Sequence, residues 1–286
     1  MPQRITGHTE LIGLIADPIR HSKSPMMHNT AFEELGLDYV YLVFEVDNSN
    51  LEEAVRGLRT LGVRGWNVSY PNKAAIIPYL DEILPAARLA GAVNTVINDG
   101  GRLTGTITDG TGFMEACREN DMPIIGKKLT LLGAGGAATA IAMQAALDGV
   151  SEISIFNRND EFRENALLNV RKINENTSCR AAFYPLEDTE ALRREVQSSA
   201  MLANATSCGF GDQKDLSPIT DSSIFCPDLN VVDIIYIPEE TVLIKMARSA
   251  GCRVVNGDMM MIYQGAASFK YWTGRDMPIS AVKAVL

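Results

Sequence analysis

The chain is poor in the residues that staple or metallate proteins. Its five cysteines, Cys117, Cys179, Cys208, Cys226 and Cys252, are odd in number, far apart and never form a CxxC pair. That pattern excludes a disulfide frame and a zinc knuckle and fits reduced thiols, which makes the cytoplasm the expected compartment. Histidine is scarcer: His8, His21 and His28 share one short stretch, with no HExxH and no later Cys/His partner, so no metal site is expected. Basic charge is also lacking. A net charge of −9 and the absence of any Lys/Arg cluster argue against a nucleic-acid partner. No apolar run reaches the length of a signal peptide core or a membrane span, so no membrane partner is expected.

What is present is alternation. At 286 residues the chain exceeds the usual single-domain size, which predicts two domains sharing a cleft. Glu10 to Ala16 reads as a strand, Ser24-Pro25 opens a helix closed by Gly36, and Asp38 to Asp47 is aromatic and β-branched enough for a second strand. Helix Leu51 to Gly62, strand VRGWNVSY, a helix near Ala74 to Leu84 and the paired strands TVINDGGRLTGTI follow, with Asp99-Gly100 as the hairpin turn. A helix over Gly110 to Asn120 leads to a strand (Lys128 to Leu132), a Gly-rich turn, an Ala-rich helix (Ala137 to Leu147) and a strand (Glu152 to Phe156). A helix from Glu161 to Asn174, a variable region near Tyr184 to Ser199, strand MLANAT, VVDIIY with the helix after it, and a last strand, turn and long helix complete the pattern. The fold class is α/β: an N-terminal domain with a mainly parallel sheet and a Rossmann-like dinucleotide-binding domain. The expected boundaries are 1–109 plus 256–286, and 110–255.

The turn GAGGA, Gly133 to Ala137 (Gly133, Ala134, Gly135, Gly136, Ala137), is weak as a string and strong in context. It leaves an apolar strand and enters a helix, where glycines let a backbone approach a pyrophosphate and the helix N-terminus offers unpaired N–H groups. An ordinary strand–turn–helix junction is the alternative. About 20 residues on, a dinucleotide fold places its ribose-binding residue. There the chain reads Asn157-Arg158-Asn159-Asp160. A carboxylate at Asp160 accepts from ribose hydroxyls and repels a 2′-phosphate, which favours NAD, with NADP tolerated through Arg158. Asp160 also reads as the N-cap of the following helix.

HSKSPMMHN (His21 to Asn29), NVSYPNK (Asn67 to Lys73), AVNT (Ala92 to Thr95), ITDGTG (Ile107 to Gly112) and Gln264 surround that turn in sequence order. Together these segments resemble the shikimate and quinate dehydrogenases, nearly end to end, and the last helix in that family crosses back to the first domain. The resemblance implies an NAD(P)-dependent oxidation of a ring hydroxyl, interconverting shikimate and 3-dehydroshikimate and also quinate and 3-dehydroquinate, in the context of aromatic amino acid biosynthesis. Lys73 and Asp109 match the family's catalytic pair, with Lys73 as acid/base and Asp109 positioning it and the hydroxyl. Ser22 and Ser24 match the carboxylate-binding serines, with Lys23 adding long-range attraction, while Ser69, Asn94, Asp109 and Gln264 match positions that bond ring hydroxyls. Ser24 also reads as a helix N-cap, and Tyr41 as a core residue of its strand. Thr206, Tyr236 and Gly257 match residues that border the cofactor. A homodimer is the assembly the resemblance suggests.

Departures from the family pattern are Ile107 for Asn, Ser69 for Thr, Asn159 for Thr, Met259 for Gly and Phe210 for Met. The Asn-Arg-x-Asp run, WNVSYPNK and VFEVDN look closer to the dual-specificity quinate/shikimate branch. Two other readings stand beside this one: a ligand-sensing paralogue without turnover, against which the retained Lys73 and Asp109 argue, and a dehydrogenase of an amino analogue of shikimate.

Overall fold

Alternation of β-branched runs with helices produces two units in the computed structural model, which describes residues 5–286; the first four lie outside the described residues. The units are Met1–Thr108 with Ile262–Leu286, and Asp109–Met261. The divisions fall one residue before and six residues after the expected positions.

In the first unit β1 (Glu10–Ala16), α1 (Ser24–Glu34), β2 (Tyr39–Glu45), α2 (Leu51–Thr60) and β3 (Gly65–Val68) alternate, with β2 and β3 both pairing parallel to β1. The expected helix near Ala74 to Leu84 is instead α3 (Asn72–Ala75), a 3₁₀ turn, β4 (Glu82–Ile83) and α4 (Pro85–Ala90). Pro78 and Pro85 remove amide donors and break the run. β5 (Thr95–Asp99) and β6 (Arg102–Thr106) form a hairpin whose two-residue turn is Gly100-Gly101, one position later than expected, with both residues at positive φ as such a turn requires. The sheet order is β2-β1-β3-β5-β6-β4. The β3–β5 and β5–β6 pairings are antiparallel and the other three parallel, so the sheet is mixed.

The second unit begins with α5 (Asp109–Glu119), whose first residue is Asp109, one before the expected start. β7 (Lys128–Leu132), α6 (Gly136–Leu147) and β8 (Glu152–Asn157) follow, then α7 (Arg163–Asn176), β9 (Arg180–Pro185), α8 (Thr189–Gln197), β10 (Met201–Asn204), β11 (Asn230–Asp233), α9 (Val242–Ser249) and β12 (Arg253–Val255). The region near 184–199, read as variable, holds the end of β9 and the whole of α8, whose N-cap Asp188 accepts from the Ala191 amide. α7 starts two residues later than expected because Asp160 and Glu161 form a turn ahead of it. All five strand pairings are parallel, in the order β12-β11-β10-β7-β8-β9. This is the doubly wound order, with its reversal between β7 and β10.

α10 (Asp258–Thr273) leads the chain back to the first unit, and α11 (Ile279–Lys283) follows. Within the first unit Trp272 donates to the Val96 carbonyl at 2.9 Å, and Phe269 stacks on Phe32, so the end of this helix is part of that unit's core. Tyr41, Trp66, Phe32, Phe269 and Trp272 are fully or almost fully buried there. In the second unit the Ala-rich face of α6 lies directly on the strands: Ala138, Ala140, Ala142, Ala145 and Ala146 are buried with Leu131 and Ile153.

Candidate functional site

The second unit carries a cavity of about 470 Å³ at the sheet's reversal point, lined by Gly133, Ala134, Gly135, Asn157, Arg158, Asp160 and Thr206 among others. Parallel strands end there because their crossovers leave a crevice at the C-terminal edge. Gly133 sits at φ +104°, and a Cβ on it would meet the Ala205 carbonyl at 2.8 Å, so the turn requires glycine. Gly135 and Gly136 face open space instead. α6, twelve residues long, has Gly135 at its N-cap and no side-chain cap, which leaves its first amides for a ligand. Asn165 holds the turn from behind through the Ala134 carbonyl and Thr139.

At the end of β8 Asn157 donates to Asp160 Oδ1 at 2.7 Å, and the Phe162 amide donates to the same oxygen at 3.0 Å. Asp160 therefore opens a turn ahead of α7 and does not cap it; the helix N-cap is Phe162, without a side-chain bond. Its Oδ2 lies 3.5 Å from Arg158 Nε. Arg158, two-thirds exposed, leans toward the carboxylate across the cavity rim. An uncapped helix, Gly133 and Gly135 in the cavity wall and a carboxylate at the second strand end are a donor and acceptor set that fits a dinucleotide, its pyrophosphate on the turn and a ribose near Asp160.

Gly136, Ala137, Tyr236 and Gly257, read as cofactor residues, are not among the lining residues. Gly136 and Ala137 form the first turn of α6, and Tyr236 is about one-third exposed. A Cβ at Gly257 would fall 1.8 Å from the Ile234 carbonyl oxygen, so this turn lies flush on the chain after β11.

In the first unit the expected substrate residues lie on the segments after β1 (Ser22, Ser24) and β3 (Ser69), just before β5 (Asn94) and on α10 (Gln264), while Asp109 opens α5 of the other unit. Ser69 follows β3 and its amide bonds the Ile15 carbonyl at 3.0 Å. Lys73, on α3, accepts from the Val93 amide through its carbonyl at 2.8 Å, which sets it beside Asn94. Asn94 Oδ1 takes the Thr108 amide at 2.9 Å, and its Nδ2 donates to Thr108 Oγ1 at 3.0 Å. Asp109, the other catalytic candidate, is the next residue along the chain. Ser22 Oγ accepts the Ser24 amide at 3.2 Å. Lys23 is the N-cap position of α1 and Ser24 its first residue, so Ser24 is not the cap. Lys23 Nζ donates to the Leu286 carbonyl.

Sequence reasoning missed the support under this cradle. Asn67, nearly buried, accepts from the Tyr41 hydroxyl at 2.7 Å and donates to the Asn94 carbonyl, Thr95 Oγ1 and Ser268 Oγ. Ser268 bonds Thr95, Thr108 and the Gln264 carbonyl. The Tyr41 hydroxyl also meets Ser24. The signal was available as one polar residue, Asn67, in a strand otherwise too apolar to expose it, GWNV. His28 stacks on Tyr41 at 4.5 Å between centroids, is fully buried, and has no partner for either ring nitrogen within the described residues. Burial alone lowers its pKa to about 3. The described residues contain no group of three His, Cys, Asp or Glu able to hold a metal, and no helix among them is long and apolar enough to cross a membrane.

A doubly wound sheet with a glycine turn at its reversal point in the second unit, and a first unit presenting hydroxyls and amides at strand ends, define a nucleotide-binding α/β protein of the dehydrogenase class. The Shikimate dehydrogenase substrate binding domain family matches residues 14–96, and the Shikimate 5′-dehydrogenase C-terminal domain family matches residues 260–286. A Listeria monocytogenes protein named shikimate dehydrogenase (NADP(+)) is 54% identical over 284 residues, covering 99% of this chain and 98% of the relative. The crystal structure of a Listeria monocytogenes shikimate 5-dehydrogenase in complex with shikimate and NAD superposes with a TM-score of 0.98 at 54% identity, covering 100% and 99% of the two chains. A Corynebacterium glutamicum quinate dehydrogenase in complex with NAD has a TM-score of 0.86 at 27% identity, covering 97% and 98%. The chain belongs to the shikimate dehydrogenase family.

Proposed function

We propose that this protein is an NAD(P)-dependent dehydrogenase that interconverts shikimate and 3-dehydroshikimate, and that quinate is its secondary substrate. The observation that carries the proposal is the uncapped glycine turn of the second unit paired, in one chain, with the hydroxyl and amide cradle of the first. Such a pairing suits a dinucleotide and a small polyhydroxylated acid. Relatives at 54% identity bear the shikimate name, and a quinate dehydrogenase stands at 27%, which orders the two substrates.

Bound NAD(P)⁺ supplies the hydride acceptor. The chain's own residues supply the rest. Lys73 Nζ, in its unprotonated form, takes the hydroxyl proton as the C–H bond at ring C3 breaks, and returns it in the reverse direction. Asp109 orients the lysine and the hydroxyl. Ser22 and Ser24 donate to the substrate carboxylate, and Ser69, Asn94 and Gln264 hold the other ring hydroxyls, so that the reacting carbon is fixed before transfer. Asp160, with Oδ2 turned to Arg158, accepts from ribose hydroxyls, which favours NAD; Arg158 allows NADP.

Steady-state rates with shikimate or quinate and NAD⁺ or NADP⁺ test the proposal. Turnover of shikimate with either cofactor supports it; binding of acid and nucleotide without turnover sinks it and leaves a sensor. A homodimer belongs to the same proposal, and sedimentation at the mass of one 31.1 kDa chain would exclude it.

A further inference from the structure

The helix that begins with Asp109 is bedded on the helix that begins in the glycine turn, and both belong to the second unit. α5 carries Asp109 as its first residue and Gly110 as its second. Gly110 is buried, and a Cβ on it would lie 2.3 Å from the Ala140 carbonyl oxygen and 2.5 Å from Gln144 Cβ, both on α6. Its backbone is helical rather than left-handed, so glycine is not there for its φ. A helix disfavours glycine relative to alanine, and the close approach to α6 is what accounts for the residue.

Ala140 stands five residues beyond Gly135, the N-cap of α6 that carries no side-chain bond. Gly110 therefore ties the start of α5 to the helix whose first amides serve the dinucleotide in the proposed function. A side chain at 110 would meet backbone, which cannot swing aside as a side-chain tip can. α5 would have to withdraw by about 1 Å to restore van der Waals contact. On the other side of Asp109 the Thr108 amide donates to Asn94 Oδ1 at 2.9 Å, which holds that residue in place. The displacement then falls on Asp109, the one residue between the two anchors.

We propose that Gly110 is a positioning residue for the hydroxyl oxidation: its missing side chain sets α5 on α6 and so holds the Asp109 carboxylate at a fixed place relative to the helix that binds the cofactor's pyrophosphate. This rests on the reading of Asp109 as the group that orients Lys73 and the reacting hydroxyl. The hydroxyl proton and the hydride leave the same carbinol, so the groups that take them must be registered to a fraction of an ångström. With Asp109 and the dinucleotide turn on two helices in contact through Gly110 and Ala140, part of that register is built into a single unit.

The test is a double-mutant cycle read as kcat for shikimate oxidation on the full chain: Gly110→Ala, Asp109→Asn and the pair. Cys117→Ala, buried on the same helix two turns further along, is the control for general loosening. Gly110→Ala is expected to lower kcat by about 10–100-fold, the range of a misplacement near 1 Å, while NADH affinity stays within about three-fold of wild type. The pair is expected to be no slower than Asp109→Asn alone, because Gly110 acts only through that carboxylate. Cys117→Ala is expected to lose stability in urea and to keep kcat within about two-fold. A Gly110→Ala kcat within about three-fold of wild type, losses that multiply in the pair, or an equal kcat loss in Cys117→Ala overturns the proposal. Should Gly110→Ala fail to fold, Gln144→Gly, which removes the Cβ beside Gly110, decides. A kcat loss of more than about two-fold that vanishes in the Asp109→Asn background supports the proposal, and any other result overturns it. Asp109→Asn turning over like wild type defeats the reading of Asp109 and the proposal with it, an outcome distinct from an intact kcat in Gly110→Ala alone.

Discussion

The hydroxyl of Tyr41 donates to Asn67 Oδ1 at 2.7 Å, joining two residues 26 positions apart on β2 and β3. Through Asn67 that bond continues to the Asn94 carbonyl, Thr95 and Ser268. A strand tyrosine and a strand asparagine, each ordinary alone, thus hold the strand ends that present Ser69 and Asn94.

Removing Asn67 leaves several buried polar groups without partners. Asn67→Ala is expected to cost about 2–4 kcal/mol of stability in urea unfolding, and Tyr41→Phe, which orphans one acceptor, about 1–2 kcal/mol. Equal stability of Asn67→Ala and wild type would show that water replaces the network.

Lys73 and Asp109 carry the proposed chemistry. Lys73→Met is expected to lower kcat about 10²–10⁴-fold while nucleotide affinity stays within a few-fold of wild type. A kcat within a few-fold of wild type would remove Lys73 from the acid/base role.

How far the sequence foretold this varies with the kind of residue. The Rossmann half was legible because strand Lys128 to Leu132, the glycine turn and the alanine helix are contiguous and each follows local rules. The segment after Lys73 was not: apolar residues at helical spacing suggested one helix, and Pro78 and Pro85 cut it into four short pieces. α8 was missed because its helix signal, Asp188 capping Ala191, was hidden in a polar region. Asp160 shows a subtler limit. It reads as helix cap or as ribose ligand, and the structure engages one of its oxygens in a turn ahead of the helix while turning the other toward Arg158. The Tyr41–Asn67–Ser268 network joins residues up to 201 positions apart from Asn67, and no local pattern encodes such pairings.

In the proposed function, Asp160 sets the cofactor preference. Asp160→Ser is expected to raise the NADP⁺ over NAD⁺ preference in kcat/KM by about ten-fold, by removing a negative charge near the 2′ position, and Arg158→Ala to lower NADP⁺ use by a similar factor. Unchanged ratios in both variants would place the selecting contact elsewhere.

His28 makes the fold sensitive to acid. Its pKa falls from 6.5 to about 3 on burial, so the unfolded chain binds the extra proton between those values. The associated stability is fully present above about pH 6.5 and is lost progressively as pH falls toward 3. His28→Phe is expected to flatten this part of the pH–stability curve and to match or exceed wild type near pH 5, since no bond to either ring nitrogen is lost. An unchanged acid limb in His28→Phe would assign the acid sensitivity to other groups.

In the proposed function one chain oxidises a ring hydroxyl with a nicotinamide cofactor, and the initial rate of nicotinamide reduction with shikimate and quinate crossed against NAD⁺ and NADP⁺ tests it. The proposed function predicts turnover of shikimate with both cofactors, faster with NAD⁺, and slower turnover of quinate. No reduction in any combination, from protein that binds both acid and nucleotide, would contradict it.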